Sequence, residues 1–435
     1  MLAPTHGFVQ WPKLSADEMS GHCVADPVAG SGVDLADFAT DTRDLISLDR
    51  MCRRSVWARM RKPLLILATL VPLIPAVAAA DEDEAPPLSI YGAARLDVIA
   101  DDSRMSDIHA PLFVEHEPAN GHMDGEMTMT PALSQVGLGI DEWQLDNNGH
   151  YMGEGKLEID FGGGTGTNVI RLRHAYATVT VRHKYEILAG QTWDLISPLY
   201  PSVQNNTQLL FAGNTGDRRP QLRLSALPLD NVRIAVAAAA TGTLDQRDLD
   251  GDGQVDGVAS GTPMLQGLIE LRQPTRRGQM ILLGVWGHVA REELANGKRY
   301  PSRSIGAHLQ VPVPFGTWSA EVYGGSNSAD IGGAVGRSAD PMTNKSVRSV
   351  GGWLELTMQA TKRHQLAMGG SGDFAVRDDV MPGDRWGNGT VWGALRYQPK
   401  SSLRLGLEYL YWKTLYRDTS PGIANRVDVH LSVLF

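Results

Sequence analysis

One short acidic stretch has the residue types and the spacing for metal chemistry. Asp248, Asp250, Asp252, Gly253 and Asp256 read D-x-D-G-D-G-x-x-D. Carboxylates two residues apart, with glycine at the sixth position, wrap oxygen ligands around a Ca²⁺ ion. The twelfth position is Ala259, which brings no bidentate carboxylate, and no helical periodicity flanks the stretch. Two readings stay open: a structural Ca²⁺ site on the surface, or a solvated Asp/Gly turn. No other cofactor is required.

A second set of residues is suited to binding charge. Arg171 and Arg173 flank Leu172, and Arg223 sits between Leu222 and Leu224, so on strands the arginines share the face opposite the leucines. Arg95, Arg218 and Arg219 join them as candidate lining of a narrow passage, with Glu158 and Asp160 as its acidic part. Arginines at a constriction concentrate anions and grip carboxylates with two hydrogen bonds. In the competing reading they pair with Glu154, Glu158 and Asp160 and leave a neutral wall. Catalytic constellations are not found. His174, His308 and His430 sit on strand-like stretches without a clustered partner, and no nucleophile elbow, metal-binding helix motif or phosphate loop occurs.

These side chains need elements to position them, and the last twelve residues show which kind. In ANRVDVHLSVLF, Val427, Val429, Leu431, Val433 and Phe435 fall on one face, while Arg426, Asp428, His430 and Ser432 fall on the other. An apolar face opposite a charged one, ending on an aromatic residue, suits the closing strand of a barrel with lipid outside and water inside. Sixteen alternating segments of this kind can be marked between residues 88 and 435. Their connections alternate strictly, with seven short turns such as Asp146–Gly149 and Pro314–Gly316 and eight longer loops. The pattern predicts an all-β fold: a 16-stranded antiparallel transmembrane β-barrel with short periplasmic turns and long extracellular loops. The first long loop spans 102–133. Charges facing inward on so many strands would be ruinous in a dry core but cost little in a wet lumen. Trp193, Tyr397, Tyr409, Tyr411 and Trp412 are expected in an interfacial girdle. The third long loop, 194–220, carries Leu209, Leu210 and Phe211, too apolar to stand in water, and is expected to fold inward and constrict the pore or, in the alternative, to pack against a neighbouring subunit.

The compartment is read at the other end. From Met60 the chain runs MRKPLLILATLVPLIPAVAAADEDE, a basic start, an apolar run and small residues, which predicts a signal peptide over 60–80 cleaved after Ala80. Residues 1–59 then read as a mis-assigned N-terminal extension with no expected fold, Met51 or Met60 being the true start, and 81–87 as a short acidic periplasmic lead to a barrel over 88–435. Both cysteines, Cys23 and Cys52, fall in the extension, so the exported chain has no disulfide. Residues 1–80 hold eight basic and eight acidic side chains, so the net charge of −9 belongs to the exported part (32 basic, 41 acidic) and disfavours nucleic acid.

Several stretches resemble the DcaP-like family of trimeric outer-membrane porins. They are Ser89–Asp97, Lys156–Gly164, Arg171–Tyr176, Ala189–Trp193 and Arg219–Arg223; beyond about residue 230 only the alternation and the terminal Phe are recognisable. The resemblance implies a homotrimer in the outer membrane of a Gram-negative bacterium, passing small and often negatively charged solutes. Some members carry an N-terminal periplasmic coiled coil; here only DEDEAPP precedes the first strand. The expectation is a passive diffusion channel for small hydrophilic solutes, with a preference for anions or dicarboxylates, in contact with outer-membrane lipid. Phe435 is expected to serve barrel assembly. The alternatives are an outer-membrane barrel enzyme of lipase or protease type and a Ca²⁺-binding surface adhesin.

Overall fold

The computed structural model describes residues 87–435, apart from 118–123, 164–168, 242–257, 259, 276–277, 294–297 and 340–344. Its strands are β1 (Leu88–Asp101), β2 (Glu126–Thr130), β3 (Gln135–Gln144), β4 (Tyr151–Gly163), β5 (Val169–Val181), β6 (Tyr185–Trp193), β7 (Arg218–Leu229), β8 (Val232–Ala239) and β9 (Met264–Pro274). They continue as β10 (Met280–Glu293), β11 (Arg299–Val313), β12 (Gly316–Ser326), β13 (Arg348–Gln359), β14 (His364–Ala375), β15 (Arg385–Lys400), β16 (Leu403–Tyr416) and β17 (Gly422–Leu434).

From β3 onward each strand pairs antiparallel with the next, and β17 returns to β1 from Ala93↔Leu434 to Asp101↔Arg426, which closes the sheet. Closure removes every free strand edge. β3 pairs with the lower half of β1 and β2 with its upper half, so these two pieces share one position and the 17 segments make a 16-stranded barrel. The end of the first long loop is thus a strand. Met127 and Met129 of EMTMT face outward while Thr130 is buried, and Pro131, which has no N–H for the ladder, breaks the strand after it.

Period-2 alternation sorts the two faces. Outward stand residues such as Leu265, Ile269, Leu405, Leu407, Val429 and Leu431, all well exposed, while Gln266, Glu270, Glu408, Asp428 and His430 point in and are buried. The interior is partly filled by loops. Residues 194–217, loop 3, fold inside, with Leu195, Ile196, Leu209 and Phe211 buried. Leu209 packs with Met105 and Val114 of the first loop against Trp353, Trp392 and Trp412 of the wall. Trp412 therefore faces inward with no exposure, and Trp193 also lies inside, tilted against Tyr200 with ring centroids 4.2 Å apart; neither belongs to an outer girdle, whereas Tyr409 and Tyr411 do face out. Trp353, Trp392 and Trp412 are drawn in because the apolar tip of loop 3 needs an apolar wall to pack on.

A second long loop also turns inward. In 327–339, Ala329, Ile331, Ala334 and Val335 are buried. Val335 is held at φ 48°, a region that β-branched residues avoid. Its N–H donates to the buried Asp373 Oδ2 at 2.8 Å, and the Ala334 N–H donates to Tyr323 Oη at 3.1 Å.

Candidate functional site

The charged wall of β4 and β5 is an ion-pair network. A bulge between Glu158 and Ile159 on the β4–β5 ladder leaves Arg173 unpaired in register, so Arg173 and His174 both turn into the lumen. Arg171 Nε and Nη2 donate to Asp160 at 2.9 and 2.6 Å. Arg173 donates to Glu158 Oε1 at 2.6 Å and to Asp160 Oδ2 at 2.8 Å. Tyr91 Oη donates to Glu158 at 2.7 Å, and Lys156 stands 3.1 Å from the same carboxylate. Three cations thus share two carboxylates, with Glu154 on the same face of β4 beside them. Arg95 pairs with Asp97 and donates to the Gln204 carbonyl at 3.1 Å, tying β1 to loop 3.

The arginines of β7 have other partners. Arg219 is fully buried: it donates to Asp194 at 2.9 Å, to the Ala240 carbonyl at 3.1 Å and to the Asp330 carbonyl at 2.8 Å. It is a tie between loops and cannot touch a passing solute, contrary to its expected place in the lining, because a guanidinium satisfies several carbonyls where two loops meet. Arg218 lies over the Trp193 ring at 4.5 Å. Arg223 reaches the Gln221 side chain at 2.8 and 3.1 Å and the Trp193 carbonyl, with no carboxylate partner among the described residues. Burial raises the carboxyls of Asp330 and Asp217 above their ordinary range, against the opposing pull of Arg219.

Loop 3 hangs on three glutamates of the far wall. The Leu199 N–H donates to Glu321 Oε1 at 2.8 Å, the Ser202 N–H to Glu355 Oε2 at 2.9 Å, and the Gln204 N–H to Glu408 at 2.9 and 3.1 Å. Ser197 and Ser202 add hydroxyl donors to Glu321 and Glu355. The acids of β12, β13 and β16 are therefore occupied by the backbone of the loop that an ordinary alternating strand pattern could not place.

Below the loop, toward the short turns, lies a cavity of about 750 Å³. Arg95, Lys362, Arg363, Arg396, Lys400 and Arg404 line it with Gln204, His430 and Ser432, and none of its described lining residues is acidic. Arg396 donates to Ser202 Oγ at 3.2 Å. Of these cations only Arg95 was expected from the sequence. The facing of Arg396 opposite Leu395 and of Arg404 opposite Leu403 and Leu405 was available as a signal; the gathering with two turn lysines was not.

No known protein family matches the chain by sequence, and no curated protein does. Solved structures match over the whole barrel. The outer-membrane channel DcaP of Acinetobacter baumannii superposes with a TM-score of 0.66 at 17% identity, covering 82% of this chain and 100% of that one. The anion-selective porin of Comamonas acidovorans gives 0.54 at 10% identity, covering 81% and 100%. OprB of Pseudomonas putida gives 0.53 at 11% identity, covering 80% and 94%. The fold is that of an outer-membrane porin.

In this porin fold Phe435 sits at the seam. Its N–H donates to the Gly92 carbonyl at 3.1 Å, and the Gly92 N–H donates back to Phe435 at 2.9 Å. A Cβ on Gly92 would meet the Phe435 ring and the Gln135 carbonyl, each at 2.5 Å, so glycine is what lets the terminal ring lie across β1. The Asp248–Asp256 stretch lies outside the described residues. Two of the histidines expected to be lone have wall partners, His308 Nε2 at 2.9 Å from Glu270 and His174 Nδ1 at 3.0 Å from Thr192 Oγ1, whereas His430 Nδ1 is buried without a hydrogen-bond partner among the described residues. His288 touches Ser302 at 2.9 Å and Ser304 at 2.6 Å, and Ser302 donates to Asp330 at 2.8 Å. That Ser–His–Asp contact is buried under the sixth long loop, where it fastens the loop rather than meeting a substrate.

Proposed function

We propose that this chain is a passive outer-membrane channel for small hydrophilic anions, working without catalysis. The observation that carries the reading is the cavity beneath loop 3, where six cationic side chains face one aqueous space with no acidic lining residue. Low-dielectric walls focus that field, so an anion is concentrated at the constriction and a cation is repelled. Arginine forks such as Arg396 and Arg404 favour carboxylates, and a dicarboxylate spans two of them. The wall acids that would oppose this, Glu321, Glu355 and Glu408, are taken up by loop 3 amides, and Glu158 and Asp160 are paired with Lys156, Arg171 and Arg173. The channel works as a homotrimer, follows export by the signal segment that ends at Ala80, and carries Ca²⁺ on Asp248, Asp250, Asp252 and Asp256 of the fourth long loop.

Planar-bilayer conductance under a salt gradient tests this. The reversal potential should report anion preference, and Arg396→Gln with Arg404→Gln should move it toward cations. A cation-selective wild-type channel, or an unmoved potential in the double variant, defeats the anion reading.

A further inference from the structure

The outward face at the long-loop rim carries charges that the pore does not use. Arg291 of β10 and Arg303 of β11 are exposed there, and neither has an ion-pair partner among the described residues. Both take the outward parity of their strands. Arg303 pairs in register with Val289, and Arg291 with Pro301, the position two residues before Arg303. The two arginines are therefore diagonal neighbours, with Cα atoms roughly 7–8 Å apart or somewhat less. Arg303 also shares a row with Ser326 of β12 and Arg348 of β13, two strands away at about 10 Å. Arg348 is held by Asp379 at 2.7 and 3.0 Å, so its charge is already matched. Immediately below this row the same face is apolar, with Val322 and Val350 about half exposed and Ile305 70% exposed, while Val289 stands level with Arg303. Two unmatched guanidinium groups thus stand at the upper margin of the apolar band.

Resting on the outer-membrane reading of the barrel, we propose that Arg291 and Arg303 bind the phosphorylated sugar headgroup of an outer-leaflet glycolipid, whose acyl chains lie along Ile305, Val322 and Val350. A cation at that height needs an anion or water. A phosphate on a lipid supplies the anion at the level of the arginines and the hydrocarbon at the level of the valines. A free phosphate supplies only the first, and a neutral lipid only the second.

The test uses the full protein purified from outer membranes in detergent, with native mass spectrometry and lipid A bearing two phosphates as probe. Dephosphorylated lipid A and inorganic phosphate serve as controls. Wild-type protein should retain the phosphorylated lipid, and Arg291→Gln with Arg303→Gln should retain roughly tenfold less or lower still, as expected when charge-assisted hydrogen bonds are lost. Arg303→Lys alone should keep part of the binding. Heat-modifiable migration and single-channel conductance should be unchanged in both variants, which shows that barrel and pore are intact. Equal lipid retention by the double variant overturns the proposal, as does equal binding of dephosphorylated lipid A. Dissociation of the oligomer without change in lipid content also overturns it, since the arginines would then belong to an interface between copies. A wild-type protein that forms no channel, yet binds the lipid through these arginines, defeats the pore reading and leaves this site standing.

Discussion

At the scale of the residue, a charged side chain in this lumen is defined by its partner rather than by its type. Arg171 and Arg396 are both inward arginines, but the first is neutralised by Asp160 at 2.6 Å while the second faces a space lined by further cations. Neutralising Arg173 with Arg223 should therefore move the reversal potential less than neutralising Arg396 with Arg404, a comparison that one bilayer apparatus settles. Glu158→Gln should act the opposite way and strengthen anion preference, because it leaves Lys156 and Arg173 short of a counter-charge. Gly92→Ala is expected to slow or prevent formation of the heat-resistant band on gels, since its Cβ would sit 2.5 Å from the Phe435 ring and from a backbone oxygen. For the acidic stretch of the fourth long loop, calorimetry should give Ca²⁺ binding that Asp250→Ala abolishes; no heat at millimolar Ca²⁺ would leave a solvated turn.

At the scale of the element, loop 3 is an extended segment fastened by its backbone. Three amide donors, from Leu199, Ser202 and Gln204, end on three glutamates that come from separate strands. Glu408→Ala removes the acceptor for the Gln204 N–H and leaves a buried donor unmatched, at a cost of about 1–3 kcal/mol. The expected outcomes are a lower melting temperature in detergent and noisier open-channel current, while Glu408→Gln, which keeps an acceptor oxygen, should do less harm. Quiet current in the alanine variant would mean that the remaining anchors suffice. The sixth long loop is held in the same manner, through Asp373, Tyr323 and Asp330.

At the scale of the whole molecule, stability rests on closure. β17 is bonded to both β16 and β1, so the last strand to be made seals the sheet. Removing Phe435 takes away the reciprocal backbone bonds with Gly92 and the ring that covers it. Such a variant should accumulate in the periplasm, and fractionation with immunoblotting would check it; wild-type levels in the outer membrane would show that the residue is dispensable.

What the sequence determined by itself was everything that depends on a period of two. The sixteen strand positions, the outward row Val427, Val429, Leu431 and Val433, and the inward row Arg426, Asp428, His430 and Ser432 all follow from alternation, because neighbouring side chains on a strand must face opposite ways. The burial of loop 3 was also legible, because Leu209 and Phe211 are too apolar to stand in water, but that they are buried inside the barrel rather than against a neighbouring subunit was not. Parity says which face a residue takes, not what it meets there. Only the closed barrel brought Arg171 against Asp160, sealed Arg219 between two loops, turned Trp412 into the wall that receives Leu209, and spent three distant glutamates on one loop. The cation cluster of Arg95, Arg396 and Arg404 is likewise a product of closure, since β1 stands near β15 and β16 only after the first strand has met the last.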